Sequence, residues 1–221
     1  MSVVIEGLTA GYGRTPVLDG LDLAVAPGEL VVVAGPSGCG KSTLLRAVAG
    51  LLPITSGRVL VDGEPVRGAS RDRAVVFQDD GLLPWRTAQR NVELPLALGG
   101  AGRAERRERA REWLARVGLA GFERYLPREL SGGMRQRVQL ARTLAQAPKL
   151  VLMDEPFGAL DAQTRSAMRE LVVEVLRETG TTTIFVTHDV DEAVRLGDRV
   201  VVLGAGEVDV RREAILAAVR G

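Results

Sequence analysis

Residues 29–50 read ELVVVAGPSGCGKSTLLRAVAG, and the change of pattern inside this stretch decides the fold. Val31 to Ala34 form a short apolar, β-branched run, which fits a strand buried on both faces in a parallel sheet. From Lys41 onward the leucines and alanines recur at helical spacing. Between the two lie three glycines in six residues, Gly35, Gly38 and Gly40. The order is strand, glycine loop, helix.

Gly35-Pro36-Ser37-Gly38-Cys39-Gly40-Lys41-Ser42 matches G-x-x-x-x-G-K-[ST] without a mismatch, at the junction where such a loop works. Glycines let the backbone wrap so that successive N–H groups point inward at a phosphate. The positive end of the following helix adds to the attraction. Lys41 is one of only two lysines in a chain with 29 basic residues, so its place is informative. It is positioned to reach the β- and γ-phosphates, while the Ser42 hydroxyl can serve Mg²⁺. Thr43 follows in the same first turn. Cys39 reads as a small loop filler, useful as a labelling handle. The ligand expected is a nucleoside triphosphate.

Working outward, VVIEGL, GYGRTP and VLDGLDLAV give short strands and turns before this unit. GRVLVD (57–62) and RAVVFQ (73–78) add two strands. From Leu82 to Leu130 the β-signals disappear, and RAERRERAREWLARVGL reads as a helix with a charged, solvated face and Trp113, Leu114 and Val117 on its buried stripe. Ser131 can N-cap a helix running to Gln146, with Met134, Val138, Ala141 and Leu144 at helical spacing. Strand KLVLMD follows. Asp161 caps a long helix with Met168, Leu171, Val172, Val175 and Leu176 on one face, closed near Gly180. Strand TTIFVT, a short helix opened by Asp189 with Glu192 three residues on, and strand RVVVLG finish the pattern. Alternating βα units predict an α/β fold with a mainly parallel sheet covered on both faces, an N-terminal antiparallel β portion and a helical insertion. One domain over 1–221 is expected, with 1–81 and 131–221 as the core and 82–130 as the helical subdomain. The last predicted strand lies close to the end of the sequence, leaving little room for a regulatory domain.

In LVLMDE, Asp154 and Glu155 sit at the carboxyl end of a buried strand, where open α/β sheets bind ligands. Adjacent acids after four apolar residues are costly there unless a cation or a reaction uses them. Asp154 is suited to hold Mg²⁺ through water. Glu155 is suited to act as the general base that orients and activates water. The only histidine, His188, ends the next predicted strand of the sheet and so falls on the same edge as Asp154. An imidazole there can donate to a γ-phosphate.

A second phosphate-quality site appears in ELSGGMRQRVQLARTLAQ. Ser131, Gly132 and Gly133 combine a capping hydroxyl, bare backbone N–H groups and a helix dipole. Alone the motif is weak, since serine-capped helices after glycines are common. Two anion sites with one phosphate loop are reconciled by a head-to-tail dimer, in which each nucleotide is held by one subunit's loop and the other's Ser-Gly-Gly helix.

Composition excludes several classes. The net charge of +1 provides no basic field for nonspecific nucleic-acid binding, so no nucleic-acid partner is expected. A single cysteine allows no intrachain disulfide and fits a reducing compartment. The N-terminus has no signal-peptide pattern, and no apolar segment reaches the ~20 residues of a membrane-spanning helix.

With these motifs in order along nearly the whole chain, the sequence resembles the ATPase subunits of ABC transporters. GPSGCGKS, Gln78, LSGGM, LVLMDE, Gly158 to Asp161 (GALD) and His188 match that family's Walker A, Q-loop, signature, Walker B, D-loop and switch histidine. The resemblance implies a P-loop NTPase core of RecA type, with ATP and Mg²⁺ as cofactors. It implies that Gln78 senses Mg²⁺ and the attacking water, and that Asp161 contacts the opposite subunit. Tyr12 in GYG would stack on adenine, although alone it reads as a turn tyrosine. The signature commonly ends in Gln where this chain has Met134; activity is expected to survive, with weaker polar contact at the site's edge.

About ninety residues separate Ser42 from Ser131, too few for the long coiled coil of chromosome-maintenance relatives. One ATPase module and no membrane span leave a free-standing subunit that borrows its membrane domains. Leu82, Leu83, Pro84 and Trp85, directly after Gln78, read either as a docking face for a partner helix or as the insertion's own core. QxxxLLPW followed by DEPFGALD resembles the ATPases of nitrate, sulfonate and taurine importers. That implies a small anionic solute, a homodimer in the ATP-bound state, transmembrane permease subunits, a solute-binding protein acting through the permease, and a peripheral place on the cytoplasmic face of the inner cell membrane. The alternatives are a soluble ABC ATPase with a non-membrane partner, and the ATPase of an exporter or lipoprotein-release system.

Overall fold

The computed structural model describes residues 1–13, 15–158, 160–203 and 208–211. Ala159 of the GALD stretch, Gly204 of RVVVLG and the segment after Arg211 lie outside the described residues. The chain forms two compact units: Met1–Val75, Lys149–Glu155 and Val173–Gly221 make the first, and Val76–Pro148 with Pro156–Val172 the second.

In the first unit, β1 (Val3–Tyr12) and β2 (Thr15–Val25) form an antiparallel hairpin, extended by β4 (Ser56–Val61) and the two-residue β5 (Glu64–Pro65) into a sheet ordered β2-β1-β4-β5. The other sheet uses β3 (Leu30–Ala34), β6 (Arg73–Val76), β7 (Leu150–Asp154), β8 (Thr182–Thr187), β9 (Arg199–Val202) and β10 (Val208–Arg211), in the order β10-β9-β3-β8-β7-β6. All five residues of the apolar β3 and all six of β8, its threonines at 182, 183 and 187 included, are buried, as strands in the middle of a parallel sheet should be. Registers fix the sheet's carboxyl edge. Ala34 pairs with Thr187 and Val202, and Asp154 pairs with Val186, all in parallel. The segments after β3, β7 and β8 therefore leave the sheet at one edge.

Helix α1 (Lys41–Ala49) packs on β7, β8 and the N-terminal hairpin. Its Leu44, Leu45, Ala47 and Val48 join Val3, Ile5, Leu8, Val31, Leu152 and Ile184 in one core. The short α6 (Val190–Leu196) packs on β3, β8 and β9, and is opened by Asp189, whose carboxylate accepts the Glu192 N–H at 3.0 Å.

In the second unit, α2 (Ala88–Leu98), α3 (Arg103–Arg116) and α4 (Gly132–Leu144) pack on one another around Val92, Leu96, Ala110, Leu114, Val138 and Ala141. Ser131 caps α4, accepting the Met134 N–H at 3.3 Å. Asp161 caps α5 (Ala162–Thr179) through the Thr164 N–H at 3.0 Å. Val172, Val175 and Leu176 are buried and Leu171 half-buried, as the spacing predicts.

Several expectations shift. The strand read over 73–78 ends at Val76, which leaves Phe77 and Gln78 in irregular, exposed backbone. The α4 helix stops at Leu144 rather than Gln146. Trp113 is only half-buried, with the Arg116 guanidinium 4.7 Å above its ring. β5 and β10 were not anticipated; β10 pairs antiparallel with β9 beyond the last strand read from the sequence.

Gly50 closes α1 at φ 75°, and a Cβ there would lie 2.3 Å from the Gly68 carbonyl oxygen. Both the left-handed backbone and the contact with a main-chain oxygen exclude a side chain. Gly50→Ala is expected to cost at least ~2 kcal/mol of stability, measured by urea unfolding; a change below ~0.5 kcal/mol would contradict this packing.

Candidate nucleotide site

The phosphate loop is shaped by its own lysine. Lys41 is 5% exposed, and its Nζ donates to the carbonyl oxygens of Gly35 at 2.8 Å and Pro36 at 2.9 Å. Gly40, the N-cap of α1, has φ 102°, and no side chain caps the helix. A Cβ on Gly40 would meet Leu18 at 2.6 Å, which explains glycine at the point where loop becomes helix. Gly38, at φ 84°, has nothing within 4 Å of where a Cβ would stand, so one side of the loop is open. An uncapped helix N-terminus beside a buried ammonium is a site for anionic oxygen. Cys39 is half-buried, its sulfur against Gly35.

At the same sheet edge the Ser42 hydroxyl donates to Asp154 Oδ1 at 3.0 Å. Burial raises the Asp154 carboxyl above its ordinary range; the Ser42 hydrogen bond works against this, and the Glu155 charge adds to it. A cation would relieve that cost. Among the described residues, no three His, Cys, Asp or Glu side chains gather as a ready-made metal site. Mg²⁺ in nucleotide sites needs few protein ligands, because phosphate oxygens and water complete its octahedron. One hydroxyl and one carboxylate in contact suit that ion.

Glu155 has φ 45°, a left-handed backbone unusual for a side chain of this size, held by its N–H donating to the Val186 carbonyl at 3.0 Å. Its Oε2 lies 3.0 Å from His188 Nδ1. The chain's one imidazole and the carboxylate suited to activate water thus form a pair. With Nδ1 protonated, His188 donates to Glu155 and leaves Nε2 for another partner.

Tyr12 is exposed, and its hydroxyl accepts from Arg46 of α1 at 2.6 Å. That contact was invisible in the sequence, where Arg46 is one arginine among many. The first unit therefore brings together Tyr12, the loop from Gly35 to Thr43, Asp154, Glu155 and His188. Gln78, Ser131, Gly132, Gly133 and Asp161 belong to the second unit. There, a Cβ on Gly133 would meet Thr164 at 2.9 Å and Leu160 at 3.5 Å, so the Ser-Gly-Gly turn sits against Leu160 and the first turn of α5.

A family model described as "ABC transporter" matches residues 18–158, spanning the phosphate loop, the Ser-Gly-Gly turn, Asp154 and Glu155. The chain belongs to the ABC transporter family. It is 50% identical over 202 residues to the taurine import ATP-binding protein TauB of Yersinia pestis, covering 91% of this chain and 79% of that protein. It is 53% identical over 205 residues to an ABC transporter ATP-binding protein of Methanocaldococcus jannaschii, covering 91% and 77%. Among solved structures it resembles the dimeric ATP-binding cassette MJ0796 in a post-hydrolysis state bound to ADP and phosphate, with a TM-score of 0.84, 36% identity and coverage of 95% and 98%. It also resembles cbiO1 of Clostridium perfringens, with a TM-score of 0.88, 29% identity and coverage of 97% and 90%. Within the family this chain is the ATP-binding, ATP-hydrolysing part, and its P-loop NTPase fold is the one read from the sequence.

The stretch after Gln78 divides between the two readings given for it. Leu82 is buried, at 8% exposure, and belongs to the second unit's core, while Leu83 is half-buried. Trp85, at 72% exposure, and the exposed Pro84 keep the docking character. Its loop is braced by Asn91, a fully buried amide that accepts the Leu83 N–H at 2.8 Å and donates to the Leu83, Arg86 and Thr87 carbonyls at 3.0–3.2 Å. Asparagine at a helical core position was the available signal.

Because the folded state holds the Asp154 carboxyl above its unfolded value, the folded protein binds more protons there, and stability falls as pH rises through that interval. Asp154→Asn is expected to melt higher than the parent at about pH 7 without nucleotide. The difference should vanish below the ordinary aspartate value of 3.8. Thermal melts at both pH values test this; a lower melting temperature for the variant at neutral pH would refute it.

Proposed function

We propose that this chain binds and hydrolyses ATP to drive an ABC importer of a small sulfonate-type solute such as taurine, sitting peripherally on the cytoplasmic face of the membrane. The carrying observation is what stands along one sheet edge: a buried Lys41 inside an open loop, Ser42 on Asp154, and Glu155 on His188. The names of the taurine-import relatives support the solute class.

In this reading Tyr12 stacks on the adenine. The loop from Gly35 to Gly40 and Lys41 hold the β- and γ-phosphates with N–H groups and an ammonium, with Ser42 and Thr43 in the first turn behind them. Ser42 and Asp154, with Gln78, hold Mg²⁺, which supplies charge neutralisation on the phosphates when bound. Glu155 takes a proton from water placed in line with the γ-phosphate. His188, with both ring nitrogens protonated, keeps the Glu155 carboxylate in orientation through Nδ1–H and donates Nε2–H to the γ-phosphate. Ser131, Gly132 and Gly133 of a second copy close over the same phosphate, with Asp161 at the facing subunit. Closure on ATP and reopening after hydrolysis act on a transmembrane permease, with a solute-binding protein delivering the cargo to it. ATP does the work by favouring the closed dimer over the open one.

Glu155→Gln removes the base but keeps the volume, so the variant is expected to accumulate as an ATP-bound dimer. Light scattering should report a doubled mass with ATP and the monomer mass without it; a monomer in both conditions overturns the composite site.

Trp85 presents a large apolar face from a braced loop, which suits a helix of the permease. Tagged Glu155→Gln protein, solubilised in mild detergent with ATP, is expected to bring down a multi-span permease and a solute-binding protein. Adding Trp85→Ala should reduce the permease recovered by at least about tenfold while the melting temperature is kept. Recovery of a soluble assembly factor in place of a permease would replace the importer reading.

A further inference from the structure

The loop that carries Gln78 is gripped by one face of the helix that Ser131 caps. Gln139 of α4 is 1% exposed, and its Nε2 donates to the Phe77 carbonyl and to the Asp79 carbonyl, both at 3.0 Å. Those are the main-chain oxygens on either side of Gln78. One turn earlier, Arg135 Nε donates to Asp80 Oδ2 at 2.8 Å. One turn later, Arg142 donates to the Gly81 carbonyl at 2.8 Å and the Asp80 carbonyl at 3.1 Å. Residues 135, 139 and 142 stand at i, i+4 and i+7, so a single stripe of α4 holds four of the five residues from Phe77 to Gly81, on both sides of Gln78.

We propose that Gln139 is a positioning residue for Gln78, and that the stripe Arg135–Gln139–Arg142 ties the Ser131-Gly132-Gly133 turn at the start of α4 to the Gln78 loop as one body. This rests on the reading of Gln78 as the residue that meets Mg²⁺ and the attacking water.

Phe77 and Gln78 lie beyond the end of β6, in exposed backbone with no strand ladder to fix them. Backbone outside a ladder is normally free to move, and fixing it needs side-chain partners. A glutamine amide has two N–H donors, and here each carbonyl flanking Gln78 receives one hydrogen bond from the same nitrogen. The Phe77–Gln78 and Asp79–Asp80 peptide planes are thereby fixed, which leaves one peptide free to turn between them and confines the direction in which the Gln78 Cβ leaves the chain. A buried amide committed in this way is costly to disturb, because loss of the donor strands two carbonyls. A displacement of the α4 N-terminus, where the facing subunit's nucleotide is expected to bind, reaches the Gln78 loop through this stripe without passing through the sheet.

The test is a double-mutant cycle on ATP hydrolysis with Gln139→Leu and Gln78→Ala. Gln139→Leu keeps the volume and removes the donor, and Gln139→Glu keeps the shape and removes the N–H groups. Each is expected to lower kcat at least fivefold while KM for ATP changes less than twofold, because the nucleotide is held by Lys41 and its loop. Combined with Gln78→Ala, either should add less than a twofold further loss. Either variant lowers the melting temperature, since two carbonyls lose their donor; a purely structural role would multiply with Gln78→Ala, and a multiplicative cycle overturns the proposal. Should Gln139→Leu fail to fold, the Gln139→Glu arm decides alone. If Gln78→Ala itself leaves kcat unchanged, the reading of Gln78 has failed, a result distinct from an additive cycle.

Discussion

An ammonium withdrawn from water needs oxygen around it, and Lys41 finds that oxygen in the carbonyls of Gly35 and Pro36, two residues of its own loop. Much of the first unit follows from this contact. To fold back over its lysine the chain must turn sharply after β3, which glycines at 35, 38 and 40 permit. Carbonyls carry only partial charges, so Lys41 is solvated but not neutralised; its field reaches Asp154, where it opposes the effect of burial. A phosphate entering the open side of the loop supplies the missing negative charge. The site is strained electrostatically in both signs, with a half-buried carboxylate and a buried ammonium each awaiting the opposite charge that a magnesium nucleotide carries.

The parallel register then places the reactive groups without further instruction. Since β8 lies between β3 and β7, with Ala34 level with Thr187 and Asp154 level with Val186, the residues just beyond those strands emerge side by side. His188 meets Glu155 because each is the first residue past its strand. Both come from the sheet, so their separation is set by main-chain hydrogen bonds rather than by flexible loops. That is the kind of support a catalytic pair requires.

What was legible in the sequence is what local chemistry dictates. The glycine loop, the Ser131, Asp161 and Asp189 caps and the buried strands each answer a demand that a few neighbouring residues make on themselves: φ above zero, an orphan N–H, an apolar face. What was not legible depends on residues distant in the chain. Leu82 looks exposed beside Trp85 until α2 and Asn91 are in place. Gln139 reads as one polar residue on an amphipathic helix until the Phe77 and Asp79 carbonyls arrive beneath it, and Arg46 gives no hint of Tyr12 from thirty-four positions away. β10 escaped because a four-residue edge strand carries little pattern of its own. The motifs were readable because they are contiguous; the partners that aim them were not, because tertiary packing selects them.

Glu155 shows why aiming matters. Its backbone sits at φ 45°, a conformation that costs a non-glycine residue on the order of 1–3 kcal/mol. Glycine would remove the strain and would also remove the carboxylate. A regular extension of β7 would avoid the strain as well, but consecutive strand residues point to opposite faces, so Asp154 and Glu155 could not both address one ligand. The left-handed turn breaks that alternation immediately after Asp154. The Val186 carbonyl accepts the Glu155 N–H, and His188 holds the carboxylate, so both ends of the strained residue are anchored to β8 and the segment leaving it. The two adjacent acids can therefore do different work at one site, Asp154 toward the cation and Glu155 toward water, because the turn between them gives each side chain its own direction.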